Sequence, residues 1–192
     1  MSKKVDKSYY LLHKPYGYLC QFTGEPEDKL LKDLFKFPKD VYSVGRLDKD
    51  SEGLLILTND NAFKTRILSP NFHVKKTYWV QVEGAITDKA IAELQAGTIV
   101  ISHKGKKHQV AKSSCRRINS IDFPDRLPPI RQRASIPTSW IELQITEGKN
   151  RQVRKMTAAV GYPTLRLIRY AIDGYSLEGL NPGDVKSFVP IS

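Results

Sequence analysis

Cysteine is nearly absent: Cys20 and Cys115 are the two in 192 residues, far apart and each without a second thiol nearby. That excludes a disulfide framework and a cysteine-rich zinc site, and it suits a reducing cytoplasm. The four histidines, His13, His73, His103 and His108, lack the close His/Cys spacing of metal ligands, so no metal site is expected. Long apolar runs are missing too. After Lys3, Lys4 and Lys7 the first apolar stretch is only Tyr9 to Leu12, too short for the core of an export signal, and no stretch reaches the roughly 20 apolar residues of a membrane span. A soluble, cytoplasmic protein away from membranes is expected. Neither a dinucleotide-binding glycine pattern nor a phosphate-cradling loop is present, so no cofactor is expected. The sequence shows no internal repeat and no low-complexity segment.

Negative charge is also in short supply. Lys and Arg number 31 against 20 Asp and Glu, a formal net charge of +11, which favours a polyanionic partner through long-range attraction and counterion release. Nucleic acid is the leading candidate; a basic soluble protein without such a partner is the alternative that charge alone leaves open. With 40% hydrophobic residues the chain can bury a substantial core, most simply as one domain, in one or two lobes.

Tyr9 to Lys14 and Tyr18 to Phe22 read as strands around the turn Pro15-Tyr16-Gly17. Asp28 could cap a short helix through Phe35 with Leu30, Leu31, Leu34 and Phe35 on one face. Val41 to Val44 and Leu54 to Thr58 read as buried strands. Asp60 then caps a helix carrying Phe63 and Ile67 inward and stopping before Pro70. Thr77 to Val82 is β-rich, and Thr87 or Asp88 caps a helix with Ile91 and Leu94 apolar and Gly97 at its end. From Ser102 to Thr138 the chain turns basic and proline-containing, with His103 to His108 and Arg126 to Arg133 as its cationic segments and a strand over Gln109 to Ile118. Such a long basic loop is either a substrate-contacting arm or a disordered insertion. Trp140 to Thr146 reads as a strand, Arg151 to Val160 as a helix closed by Gly161, Leu165 to Ile172 as a strand, and Leu177 to Val189 as a turn-rich return. Strands and helices interleave without strict βαβ alternation, which predicts an α+β fold with a mixed, largely antiparallel sheet.

Two segments concentrate chemistry. Between the strands at 41–44 and 54–58, Gly45-Arg46-Leu47-Asp48-Lys49-Asp50-Ser51-Glu52-Gly53 sets an acidic cluster on a short, tethered loop. Composition alone leaves Asp48, Asp50 and Glu52 as possible reactive carboxylates or as ordinary solvated turn residues. In Glu147-Gly148-Lys149-Asn150-Arg151-Gln152-Val153-Arg154-Lys155-Met156 a strand passes into a helix, with Asn150 as N-cap. Val153, Met156 and Val160 share its apolar face, while Arg151, Arg154 and Lys155 point elsewhere, suited to phosphate or to a solvated basic face.

Residues 45–60 resemble, without a gap, the signature loop of pseudouridine synthases of the RsuA-like branch, and 147–154 resemble a second motif of that family in every position. Lys75-Lys76-Thr77-Tyr78 is similar to its Lys-x-Tyr strand, and Leu165-Arg166-Leu167-Ile168-Arg169 to its Leu-Arg-Leu-x-Arg strand. The similarity runs from His13-Lys14-Pro15 to Gly179-Leu180-Asn181-Pro182-Gly183. It implies a pseudouridine synthase fold: a mixed, largely antiparallel sheet spanning two lobes with an active-site cleft between them. It also implies an enzyme that isomerises a uridine in RNA without a cofactor. Asp48 inherits the catalytic role, Arg154 the arginine that pairs with it, and Tyr78 the aromatic that stacks on the uracil and is a candidate for removing a proton. Arg46, Leu167, Lys76, Lys149, Arg151 and Arg169 are the substrate-binding residues it suggests. Arg46 would fill the space left by the flipped base, and Leu167 would pack beneath it. The implied partner is ribosomal RNA, that of the large subunit (23S), and the protein is expected to work as a monomer. Family members often carry a small N-terminal RNA-binding domain of the S4 type; here the catalytic region starts near residue 8, so residues 1–192 are expected to be one catalytic domain in two lobes with no S4 domain. Rival readings are an enzyme acting on small-subunit ribosomal or other RNA, a noncatalytic RNA-binding or ribosome-assembly module, and a two-carboxylate glycosidase-like hydrolase. The last is weakened because Asp48 has no evident acid partner.

Overall fold

The computed structural model describes residues 6–119, 121–130 and 135–191. In chain order the first elements are β1 (Tyr9–Lys14), β2 (Tyr18–Leu19), β3 (Lys29–Leu30), β4 (Tyr42–Ser43), β5 (Glu52–Thr58) and α1 (Asn61–Leu68). Then come β6 (Lys76–Glu83), α2 (Asp88–Ala96), β7 (Val100–His103), β8 (Lys106–Gln109), β9 (Ser114–Ile118) and β10 (Thr138–Ile145). The last are α3 (Gln152–Ala159), β11 (Thr164–Ile172), β12 (Tyr175–Ser176) and β13 (Val185–Ser187). The chain divides into two compact units, one of residues 1–74 with 174–192 and one of residues 75–173.

In the first unit β1 pairs antiparallel with both β13 and β5, and β4 runs antiparallel along β5. Strand β5 is buried along its whole length, which explains its apolar run Leu54-Leu55-Ile56-Leu57. Leu12, Cys20, Leu31, Val41, Leu47, Leu55 and Leu57 form one core cluster. The expected helix from Asp28 to Phe35 is not formed. Leu30 is extended and pairs with Leu19 in a short parallel ladder, and only a single 3₁₀ turn follows, over Leu31–Asp33. Backbone pairing to a distant strand overrides the helical spacing of the leucines. The strand expected through Phe22 is correspondingly cut to two residues.

The second unit is built on the antiparallel order β11-β6-β10-β9. Strand β6 alternates strictly, burying Tyr78, Val80 and Val82. These join Leu94 of α2, Ile141 and Leu143 of β10, Val153 and Met156 of α3, and Leu167 of β11 in one cluster. Thr87 caps α2 by accepting from Ala90 N, and Gly97 ends it in the left-handed region. Strands β7 and β8, which form a hairpin, lie where a loop was expected. Its turn residues Lys104 and Gly105 have φ of 51° and 75°, the double positive φ of a type I′ turn, in which lysine is an unusual occupant of the first place. The strand expected from Gln109 begins later, at Ser114.

Asp60 is the clearest local determinant of the fold. One carboxylate oxygen accepts from Ala62 N at 2.9 Å and Phe63 N at 3.3 Å, capping α1, while the other accepts from Tyr9 Oη at 2.7 Å and from Lys7 Nζ at 2.8 Å. Lys7, then Tyr9, outweigh burial and with the helix amides hold the Asp60 pKa down at about 2. Burial, then the bond to Asp60, pushes Tyr9 up to about 12. A carboxyl whose folded pKa is depressed contributes stability above its unfolded value of about 4. That contribution is lost as pH falls through about 2. Asp60→Ala removes the cap, about 1 kcal/mol, and strips Tyr9 of its acceptor, so a loss of about 2–3 kcal/mol is expected in urea unfolding at pH 7. The gap between variant and wild type should narrow toward pH 3; a gap independent of pH would assign the loss to packing instead.

Candidate active site

In the first unit the loop from Gly45 to Ser51 is held from below. Gly45 has φ of 74°, a conformation that strains any side chain, and a Cβ there would stand 3.0 Å from the end of the Leu68 side chain. Leu47 is buried in the core cluster, its N–H donates to Cys20 Sγ at 3.2 Å, and the Cys20 thiol donates back to the Leu47 carbonyl at 3.3 Å. Ser51 N donates to the Asp48 carbonyl at 3.0 Å, closing a tight turn. Gly17 N donates to the Lys49 carbonyl at 2.8 Å. The turn containing Gly17 is itself fixed by Lys14, fully buried, whose ammonium donates to the carbonyls of Pro15 at 2.9 Å and Tyr18 at 2.8 Å. Asp28, expected as a helix cap, instead pairs with Lys49 at 3.1 Å.

Asp48 therefore sits half-buried on a loop pinned at the residues on either side of it, with Arg46 exposed. The three neighbouring carboxylates are not equivalent. Glu52 is buried at 3% exposure in β5, whereas Asp48 and Asp50 are half-exposed on the turn. Burial thus rules out the solvated-turn alternative for Glu52, and leaves Asp48 and Asp50 as the accessible carboxylates of the motif.

In the second unit the β6–β11 register sets Tyr78 opposite Arg169 and Val80 opposite Leu167, and residues facing each other across a ladder share a face. Lys76 lies on that face by alternation. Its pKa is lowered by burial and then by the charge of Arg169. A register shift between Arg169 and Ala171 interrupts the ladder here, a device that re-aims side chains. Tyr78, Leu167 and Arg169 are buried, with Lys76 half-buried, and Val153 and Met156 bring α3 onto the same core.

The Glu147–Met156 motif splits into three jobs. Val153 and Met156 are core. Glu147 and Gln152 build the loop: Gln152 Nε2 donates to Glu147 at 2.6 Å and Lys149 N donates to Gln152 Oε1 at 2.9 Å. Asn150 is not the N-cap. Arg151 takes that place in the left-handed region with φ of 52° and no capping side chain, because the Glu147–Gln152 contact already closes the loop. Asn150 and Arg151 are exposed, and Lys149, Arg154 and Lys155 are half-exposed. Of the expected basic arm, Lys104, Lys106 and Lys107 are exposed on the β7–β8 hairpin. Arg126 donates to the carbonyls of Pro128 at 2.8 Å and Pro129 at 3.3 Å. Arg131 and Arg133 lie outside the described residues. Among the described residues no group of three or more His, Cys, Asp or Glu side chains could hold a metal ion, and no helix is long and apolar enough to cross a membrane.

A largely antiparallel sheet fold carrying an Arg-Leu-Asp loop and a Tyr-bearing strand defines a class, and sequence comparison agrees with it. The pattern of the RNA pseudouridylate synthase family matches residues 8–159, and the chain belongs to that family. It is similar to the ribosomal large subunit pseudouridine synthase E of Xanthomonas axonopodis pv. citri, 48% identical over 175 residues, covering 90% of this chain and 89% of that one. Its counterpart of the same name in Vibrio vulnificus is 42% identical over 182 residues, 95% of this chain and 75% of that one. Among solved structures, a crystal structure of a pseudouridylate synthase superposes with a TM-score of 0.75 at 27% identity, covering 96% of this chain and 71% of that one.

Proposed function

We propose that this protein isomerises one uridine of 23S ribosomal RNA to pseudouridine. The observation that carries the proposal is the 42–48% identity, over nine-tenths or more of the chain, to enzymes named for the large ribosomal subunit. In the reaction the N1–C1′ bond breaks, the uracil turns, and a C5–C1′ bond forms while C5 loses a proton and N1 gains one. Nothing is oxidised and nothing is consumed.

The target base leaves its stack first, at a cost of a few kcal/mol offset by stacking and hydrogen bonding in the site. Arg46, exposed beside Asp48, is proposed to fill the vacated space. Asp48 acts as nucleophile or as base, Tyr78 stacks on the uracil, and Leu167 packs beneath it. Arg154 orients the reacting carboxylate. Lys76, Lys149, Arg151 and Arg169 meet the RNA backbone and base edges, with Lys104, Lys106 and Lys107 as a phosphate-binding arm. The two units serve as one catalytic domain, working as a monomer in the cytoplasm.

The test is to map pseudouridine in ribosomal RNA from cells with and without this protein, and in RNA incubated with the purified enzyme. One 23S uridine should lose its modification in the cells lacking it and regain it in vitro. A site in small-subunit RNA would move the substrate. Binding without any isomer would make the protein a noncatalytic module, and released uracil a hydrolase.

A further inference from the structure

Hairpin β7–β8 and the start of α3 meet at one carboxylate. Glu147 accepts from His108 Nε2 at 2.9 Å on the hairpin, from Ala111 N at 2.9 Å just beyond it, and from Gln152 Nε2 at 2.6 Å in the first turn of α3. Lys155 of α3 adds a second tie, donating to the Ser102 carbonyl of β7 at 2.7 Å. The surroundings are cationic. His103, whose ring centre is 6.4 Å from that of His108, has its pKa lowered by desolvation first and then by Lys149, Lys104, His108 and Lys155. Burial would raise the Glu147 pKa, but the bonds from Ala111, His108 and Gln152 hold it below the ordinary value, so the junction keeps a fixed anion among these cations. Lys104, Lys106 and Lys107 stand exposed on the hairpin, and Arg154 stands two residues beyond Gln152.

We propose that Glu147 is a positioning residue that couples the basic hairpin to α3, so that RNA phosphates seated on Lys104, Lys106 and Lys107 set the placement of Arg154 and thereby the rate of the chemical step. The inference rests on the proposed pseudouridine synthase activity and on the hairpin as an RNA contact. Hydrogen bonds from both elements to a single carboxylate are its warrant: a hairpin displacement is passed to Gln152 through one side chain, and misplacement of a positioning group by about 1 Å can cost about 100-fold in rate.

Single-turnover conversion at saturating RNA, with affinity measured separately, tests it. Replacing Lys104, Lys106 and Lys107 by Gln should weaken binding, flatten its salt dependence by about 0.7–0.9 log units per lost contact, and also slow the saturating rate about tenfold. Glu147→Gln keeps the shape and one acceptor but loses the charge; it should slow the saturating rate about tenfold with affinity within about twofold. Combined with the lysine changes it should slow the rate no further, because both interrupt one linkage. His108→Ala, which leaves the Ala111 and Gln152 bonds in place, should reproduce the Glu147→Gln rate and serves if that variant melts early. Full rates in Glu147→Gln or His108→Ala, or rate effects that multiply, overturn the coupling. Unchanged affinity in the lysine variant instead overturns the hairpin as an RNA contact, and a wild type that converts no uridine overturns the activity itself.

Discussion

Asp48→Asn is expected to bind substrate RNA within a few-fold of wild type and to lose conversion by about a thousandfold or more, measured as single-turnover formation of pseudouridine. An amide has the carboxylate's size and shape but is neither a nucleophile nor a base. Folding should survive the change because backbone contacts hold the loop on either side of this residue. Leu47 is buried and doubly bonded to Cys20, and the carbonyls of Asp48 and Lys49 are held by Ser51 and Gly17. Asp50→Asn, also half-exposed on the same turn, should keep most activity. Glu52→Gln should also turn over, but Glu52 is 3% exposed in β5, so its effect belongs in the melting temperature and not in the chemical step. Near-normal turnover by Asp48→Asn, or a dead Asp50→Asn, would move the active site off Asp48.

How much of this was legible in the sequence depends on how local each signal is. Where a cap and an apolar period coincide, the element stands where expected: Asp60 with Phe63 and Ile67 gives α1, and Thr87 with Leu94 and Gly97 gives α2. The helix expected over 28–35 had a cap and a period as well, but Leu30 found a backbone partner in Leu19. Hairpin β7–β8 was missed because its left-handed turn begins with a lysine, where Asn, Asp or Gly would have announced it. The supports of the site were not legible at all. Cys20 and Leu47 are 27 residues apart, and His108 and Glu147 are 39 apart, contacts that only a folded chain creates. The same limit applied to the acidic loop, whose residues alone left three carboxylates open. Family resemblance named Asp48, and burial then separated Glu52 from the other two.

Arg154→Lys is expected to fold and bind RNA normally yet slow the saturating rate about a hundredfold, because the charge is kept while the planar fork is lost. Helix α3 should tolerate the exchange. Arg and Lys have similar helix propensity, Val153 and Met156 supply its buried face, and the Glu147–Gln152 bond fixes its start. What lysine cannot reproduce is a pair of parallel hydrogen bonds to a carboxylate or phosphate. The proposed role predicts a specific non-additivity: with Asp48→Asn already in place, Arg154→Lys should cost almost nothing further, since a group that orients a carboxylate has no task once the carboxylate is gone. A phosphate-binding arginine behaves differently. It would weaken RNA affinity, reduce the salt dependence of binding, and lower activity by the same factor whether residue 48 is Asp or Asn. Full turnover in Arg154→Lys, or independent effects in the double variant, would make Arg154 a backbone contact and leave Asp48 to be oriented by its own loop.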